Sequence, residues 1–256
     1  NVALRLRKRG HDVVLYEKTD RLGGKLNTAN RVGFKWAIKD YKDYLIHQLE
    51  KRGIPVHLNA EVTPDEIREA KYDAVICAMG ASPKFPPIAG LLDEQGNPVS
   101  GVWDPISVYG QEQSIGKNVV VIGGGEIGME TAMYLAENGH NVTILSRQRK
   151  FAAEADRVHY YSMFQDAWKN MDNLTTINRA TTTAVTPGSV TYVDKNGAEH
   201  TISCDAIIAC GGMRSAQDEA LAFQNAADRF LIIGDNLETG NVQTATRSAY
   251  AAAARI

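Results

Sequence analysis

Cysteine is scarce: Cys77, Cys204 and Cys210 are the only three in 256 residues, and no pair stands in a C-x-x-C or C-x-x-x-x-C spacing. That absence excludes a cysteine zinc site or an iron–sulfur cluster built from these residues. It also argues against a dithiol that cycles with a disulfide. Cys77 and Cys210 lie in apolar runs, so packing in a reducing cytoplasm is their expected role. An excess of either charge is missing too. The formal net charge is −2, which leaves no basic field to attract nucleic acid or an anionic membrane surface. Long apolar runs are absent: "NVVVIGG" and "DAVICAMG" fall far short of the roughly 20 residues that span a bilayer, and no signal-peptide pattern is present. The expectation is a cytoplasmic protein with neither a membrane nor a nucleic-acid partner. The chain opens without methionine, already on a helical pattern of Val2, Leu4 and Leu6 before Gly10. It reads as a sequence entered inside an element.

What is present is a repeat. Laid over "ETAMYLAENGHNVTILS", the opening "NVALRLRKRGHDVVLYE" matches without gaps at Ala3, Leu6, Gly10, His11 and Val13, against Ala132, Leu135, Gly139, His140 and Val142. Helix, Gly-His turn and β-branched strand recur in the same order, and such self-similarity constrains the fold. Upstream of the second copy stands "NVVVIGGGEIGME", an apolar strand running into Gly123-x-Gly125-x-x-Gly128. Gly123 permits a tight turn, Gly125 lets backbone amides approach a pyrophosphate, and Gly128 lets the following helix lie close on the sheet. The strand before it, the helix after it and a second strand within about 30 residues supply the context that a lone glycine motif lacks. In the first copy the matching glycines would precede Asn1, so the first strand and phosphate loop of that half are expected upstream.

The strand-end residue differs between the copies. Glu17 in the first can accept hydrogen bonds from both hydroxyls of an adenosine ribose, as in FAD or NAD. The second copy has Ser146, followed by Arg147 and Arg149. A small hydroxyl beside guanidinium groups leaves room for a 2′-phosphate and supplies forked donors to it, which favours NADPH over NADH. The plainer alternative is a solvated basic turn.

The remaining pattern alternates strands and helices. "AIKDYKDYLIHQLEKRG" is a helix with a core-facing stripe of Ile38, Tyr41, Leu45 and Leu49. "IPVHLNAEV" alternates as a strand, Thr63 and Pro64 begin a short helix, and "YDAVICAMGASP" is a buried strand ending in a turn. After the glycine loop come a polar helix, "EADRVHYYSMFQDAWKNM", and strands turned at Pro187-Gly188 and Asn196-Gly197. "AIIACGG", "RFLIIGD" and an Ala-rich helix follow. The fold class is α/β: two Rossmann-like three-layer ββα dinucleotide-binding domains, the second inserted in the first. The expected division is 1–113, 114–225 and 226–256.

Glu17-Lys18 with "RLGGKL", "DAVICAMGASP", "VVVIGGGEIGMETA", "AIIACGGMR" and "FLIIGD" together resemble a flavin-dependent pyridine-nucleotide oxidoreductase with two dinucleotide-binding domains. The nearest likeness is to the C-terminal half of the 2,4-dienoyl-CoA reductase and trimethylamine dehydrogenase group, relatives of old yellow enzyme. The resemblance implies an FAD site of Glu17, Lys18, Arg21, Gly23 and Gly24, with backbone at Val62 facing adenine. Ala78, Met79 and Gly80 would pass near FAD. Gly234 and Asp235 would meet its ribityl or phosphate oxygens, and Gln243 and Thr244, at a helix N-terminus that favours reduced flavin's charge, would approach the ring. For NADP it implies Gly123, Gly125, Glu126, Ile127, Gly128, Ser146, Arg147 and Arg149, with Glu130 near the nicotinamide and Gly211-Gly212 on the far side. Ala78-Met79-Gly80 replaces the group's usual Ala-Thr-Gly, so no threonine hydroxyl acts there.

No catalytic acid, base, nucleophile or metal ligand is singled out. His11 and His140 match as turn residues, and His47, His57, His159 and His200 are scattered. The expected activity is hydride transfer from NADPH to FAD. It would feed an FMN and iron–sulfur domain, expected upstream in the same polypeptide, or a partner electron acceptor; the final substrate would be enoyl-type or an amine. A non-catalytic domain holding ADP and a stand-alone NAD(P)H–flavin reductase are the alternatives, and a homo-oligomer is left open.

Overall fold

The computed structural model of the chain describes residues 1–155 and 161–256. From the N-terminal end, α1 (Val2–Lys8) leads to β1 (Leu15–Tyr16), α2 (Leu26–Ala29), α3 (Trp36–Lys51), β2 (Val56–His57), α4 (Pro64–Glu69), β3 (Ala74–Cys77) and β4 (Ala81–Pro83). Then come β5 (Val102–Trp103), β6 (Asn118–Ile122), α5 (Glu126–Glu137), β7 (Asn141–Ser146), α6 (Tyr161–Lys169) and β8 (Leu174–Asn178). β9 (Thr181–Thr186), β10 (Ser189–Val193), β11 (Glu199–Ser203) and β12 (Ala206–Ala209) precede β13 (Met213–Ser215), α7 (Gln217–Leu221), β14 (Arg229–Ile232) and α8 (Val242–Arg255). Part of the polar helix expected from Glu154, with His159, falls on residues 156–160, outside the described residues.

The chain divides into two compact units: Asn1–Asn30, Lys35–Ser82 and Met213–Ile256 form the first, and Arg31–Phe34 with Pro83–Gly212 the second. In the second, a parallel sheet runs in the order β5-β12-β6-β7-β8. Strand alternation divides its side chains between two cores. Val119, Val121, Val142 and Ile144 turn to one face, with Met129, Ala132 and Leu135 of α5 and Phe164 and Trp168 of α6. Val120, Ile122 and Leu145 turn to the other, with Val185, Val190 and Tyr192 of a three-stranded antiparallel sheet ordered β11-β10-β9. Helices, parallel sheet and antiparallel sheet make the expected three layers. A strand buried on both faces has to be apolar throughout, and β6 is buried from Val119 to Ile122. Gly188 and Gly197 take φ of 84° at the two hairpins, where Pro187-Gly188 and Asn196-Gly197 marked the turns.

The first unit is built from shorter pieces. β1 pairs with β2, β3 with β14, and β4 with β13. Small clusters hold them: Ala3, Leu49 and Ile54 with Leu4 and Leu15, and Ile233, Ala249 and Ala252 with Val2, Ile76 and Leu231. Thr63 caps α4 through a capping box with Glu66. The stripe of α3 lies on one face as expected, yet only Leu49 is buried; Tyr41 and Leu45 line a groove of about 760 Å³ against α1 and α8. "IPVHLNAEV" forms only the two residues of β2. Among the described residues, no helix is long and apolar enough to cross a membrane, and no cluster of His, Cys, Asp and Glu could hold a metal ion.

Candidate dinucleotide sites

The second unit's glycine loop is shaped by close approach. β6 ends at Gly123, whose φ of 113° suits glycine alone. A side-chain carbon at Gly123 would fall 2.3 Å from the Cys210 carbonyl oxygen, and one at Gly128 would fall 1.9 Å from that of Gly123. The turn and the start of α5 therefore touch where any side chain would intrude. Gly125 is the N-cap of α5.

A carboxylate lies across that helix end. Glu154 Oε1 accepts the backbone N–H of Glu126 at 2.5 Å, and it lies 2.7 Å from where a Gly125 side chain would begin. Chemically it stands in for a phosphate oxygen, an anionic acceptor on a helix N-terminus. The residues present thus fit the pyrophosphate of a dinucleotide. Ala152 secures this segment: it is fully buried, has a φ of 45°, and its N–H donates to Gly124 O at 2.8 Å.

β7 ends in Ser146, which is buried, and its Oγ accepts the N–H of Gln148 at 3.2 Å. Arg147 and Arg149 are exposed. Beside them opens a cavity of about 380 Å³ lined by Arg149, Lys150, Lys169, Tyr161 and Trp168 among others. Arg147 is not in its wall. The basic run therefore splits, and Lys169, remote in sequence, joins Arg149. Only the packing of α6 beside β8 could have revealed that.

Glu130 is buried one turn into α5, and Ile127 is partly exposed at the start of the helix. Tyr109 lies nearby, its hydroxyl 3.4 Å from Thr131 Oγ1. Burial raises the Tyr109 phenol far above its usual range; the Thr131 hydrogen bond works against this, and the Glu130 charge adds to it. Gly211 and Gly212 have a packing reason of their own. A side-chain carbon at Gly211 would fall 2.3 Å from Lys84 O, and Gly212 O accepts the Lys84 N–H at 2.9 Å.

In the first unit, Glu17, the Ala78–Gly80 turn and the Gly234–Asp235 turn all follow the C-terminal ends of parallel strands, the ends where such sheets bind ligands. Glu17 Oε1 accepts the N–H and hydroxyl of Thr19 at 2.9 and 2.8 Å, which orients the carboxylate. Lys18 and Arg21 are exposed, and Arg21 pairs with Asp20 at 3.3 Å. Gly23 and Gly24 take φ of 114° and 49°, and half-buried Val62 precedes the cap of α4. Met79 is exposed, while its N–H donates to Asn236 Oδ1 at 3.1 Å. Gly234 N–H donates to Ser248 Oγ at 2.8 Å, and Asp235 Oδ1 accepts the Gly240 N–H at 3.1 Å. At the start of α8, Asn241 and Thr244 form a reciprocal capping box, with Gln243 exposed beside them.

Two polar residues here escape the sequence patterns. Lys25 Nζ lies 3.2 Å from where a Gly80 side chain would begin. Burial lowers its pKa and the nearby Asp235 charge raises it. Asn236, fully buried, joins three loops: it accepts from Met79 N–H, donates to Ala216 O, and receives Ser215 Oγ on its carbonyl at 2.6 Å. A single polar residue in a loop carries no periodicity by which it could be found. The cysteines are free; burial pushes Cys77 and Cys204 up to about 11 and Cys210 up to about 12.

A family model described as pyridine nucleotide-disulphide oxidoreductase matches residues 1–245. An NADH oxidase of Thermoanaerobacter brockii is 31% identical over 99% of this chain and 39% of its own length. The solved structure of 2-naphthoyl-CoA reductase with 2-naphthoyl-CoA superposes with a TM-score of 0.92 at 26% identity, over 100% of this chain and 38% of that one. Histamine dehydrogenase from Rhizobium sp. 4-9 gives 0.83 at 20% identity, over 100% and 40%. These likenesses match the dienoyl-CoA reductase and trimethylamine dehydrogenase group that the motifs resemble. The chain spans about two fifths of the length of each of these three proteins.

Proposed function

The chain belongs to the pyridine nucleotide-disulphide oxidoreductase family, and on that premise we propose that it passes hydride from NADPH to FAD. The observation that carries the choice of NADPH is the end of β7. A buried serine there is followed by exposed Arg147 and Arg149, and Arg149 shares a cavity with Lys150 and Lys169. A carboxylate at that position would repel a 2′-phosphate, whereas guanidinium groups donate forked, charge-assisted bonds to one.

In this reading, Gly123, Gly125, Glu126, Ile127 and Gly128 hold the NADPH pyrophosphate, and Glu130, Gly211 and Gly212 border its nicotinamide half. Glu17, Lys18, Arg21, Gly23, Gly24 and Val62 hold the adenosine side of FAD. Ala78, Met79, Gly80, Gly234, Asp235, Gln243 and Thr244 border the rest. The division into 1–113, 114–225 and 226–256 belongs to the same proposal. The bound pair supplies hydride donor and acceptor, so the protein's part is to orient two rings and exclude water. The high thiol pKa values leave Cys77, Cys204 and Cys210 as thiols near neutral pH, which argues against disulfide chemistry at this chain's own cysteines. Electrons would go onward to an FMN and iron–sulfur domain in the same polypeptide, serving an enoyl-type substrate or an amine.

The test is reduction of the bound flavin by NADPH and by NADH, in wild type and in Arg147→Glu and Arg149→Glu variants. The NADPH Kd should rise on the order of tenfold to a hundredfold in at least one variant, since each lost charge-assisted contact is worth about 1.5–3 kcal/mol. The NADH Kd should change little. A wild-type preference for NADH would refute the assignment of NADPH. A colourless protein that releases ADP on denaturation would refute hydride transfer.

A further inference from the structure

One face of α3 belongs to neither dinucleotide site. Tyr41, Tyr44, Leu45 and Gln48 recur at the i, i+3, i+4, i+7 spacing of a single helix face, Arg52 continues it, and all line the groove of about 760 Å³. From α1, Leu4, Arg5, Lys8 and Arg9 line it at the same three- and four-residue steps. From α8, Tyr250, Ala253 and Ala254 do so. Every one of these residues lies in the first unit. A face repeated at these steps is the face one helix offers to another.

The charge of the groove has one sign. Arg5, Lys8, Arg9 and Arg52 stand in its wall, and among the described residues no carboxylate does. The acids of α3 are turned elsewhere: Asp40, Asp43 and Glu50 fall off the groove spacing, and Asp43 pairs with Lys39 and Lys42 at 2.9 and 3.2 Å. Cations are favoured at helix C-termini, but Arg7 and Lys51 already stand in the last turns of α1 and α3, outside the groove. Two of the four groove cations are fixed in place. The Arg5 guanidinium lies over the Tyr250 ring, 2.9 Å from its centroid, and Arg9 donates to Ala253 O. Lys8 and Arg52 are exposed. Like charges gathered in one concave wall concentrate an anion there.

Length decides which kind of anion. From Tyr41 to Arg52, at 1.5 Å per residue, α3 runs roughly 16 Å along the groove. A phosphate group fills a small part of that length, whereas three turns of a helix fill it. Apolar side chains lie between the cations: Leu4 and Leu45 are half-buried and Ala253 is buried, with Tyr44 and Tyr250 exposed beside them. Tyrosine and arginine around an apolar centre are the side chains that concentrate binding energy at protein interfaces.

We propose that this groove docks an acidic amphipathic helix of a partner protein, about three turns long. Its aliphatic residues, at i, i+3, i+4 and i+7, rest on Leu4, Leu45 and Ala253, and its carboxylates meet Arg5, Lys8, Arg9 and Arg52. The charges steer the encounter and the apolar contacts hold it. The groove shares no residue with either dinucleotide site, so docking is independent of which cofactor each unit binds.

The test is fluorescence anisotropy of an end-labelled helical peptide of roughly 18 residues, leucine at i, i+3, i+4 and i+7 and glutamate elsewhere, titrated with the chain. Binding should saturate, and its Kd should rise roughly tenfold from low salt to physiological ionic strength. Lys8→Glu and Arg52→Glu should each raise the low-salt Kd about fivefold. Arg68→Glu on α4, the same change of charge away from the groove, should leave it unchanged. Tyr44→Ala, which alters no charge, should weaken binding at both salt concentrations, a readout available even if a charge variant folds poorly. Absence of saturable binding, equal binding of a peptide with lysine in place of glutamate, or binding that no groove variant moves would overturn the proposal. Three rival occupants would do the same: inorganic triphosphate or phosphatidylglycerol vesicles bound through Lys8 and Arg52 where the peptide does not bind, or a dimer of the chain that Lys8→Glu dissociates.

Discussion

Glu154 places its carboxylate on the backbone N–H of Glu126, at the helix end that the proposed pyrophosphate needs. An incoming dinucleotide must displace it and bring its own charge to the same donors. An anion at a helix N-terminus is worth about 0.3–1 kcal/mol, so Glu154→Gln should tighten NADPH and NADH binding alike, by roughly two- to fivefold. Fluorescence titration at low salt measures this; weaker binding in the variant would mean that the carboxylate supports the bound loop instead of competing with it. The arginine variants act at the proposed 2′-phosphate contact and should separate the two cofactors, whereas Glu154 should not. Glu17 was legible because an acid at the end of a second strand has a known reason to be there. Glu154 was not, since nothing in "FAAEAD" says which way the segment folds back.

Among the elements, β6 depends most on one distant carboxylate. Asp205 fastens the start of that strand from the residue just before β12, and the backbone bond to Asn118 does most to hold its pKa below the usual carboxylate range, with burial opposing and the Lys117 bond adding to it. A folded-state pKa below the unfolded one gives stability that is present above the ordinary value near 3.8 and is lost as pH falls through the lowered one. Wild type should therefore melt higher than Asp205→Ala at neutral pH, and the gap should narrow below about pH 3.8. A gap that stays constant down to the acid limit would assign the loss to packing. α8 begins with a capping box of Asn241 and Thr244 that no S/T-x-x-E pattern announces. The cap of α4, with Thr63, Pro64 and Glu66 in sequence, could be seen directly.

At the scale of the whole molecule the two units differ in how much core each encloses. Among the described residues, the second has a five-stranded parallel sheet with apolar clusters on both faces; the first has two clusters of three buried residues each. Cooperative stability follows buried apolar area at roughly 25 cal/mol per Å². Heating should therefore give two calorimetric transitions, with amides of β1 and β3 exchanging before those of β6 and β7. A single transition with uniform protection would show that the units unfold as one. The half-buried stripe of α3 belongs to the same picture, since of Ile38, Tyr41, Leu45 and Leu49 only Leu49 is buried in a cluster of the first unit.

The sequence by itself determined the periodic features: the parallel strands, the glycine loop, the hairpin turns, the repeat and the family. These are local, because strand alternation, glycine at positive φ and proline in turns act between residues a few positions apart. Tertiary structure alone decided which remote groups meet. It set Lys169 beside Arg149, Lys25 against Gly80, Asn236 between three loops and Glu154 on α5. The physical reason is that each of these polar groups is placed by the partner the folded chain brings to it, as buried Asn236 shows most plainly, and the identity of that partner is not written in the residues on either side of it.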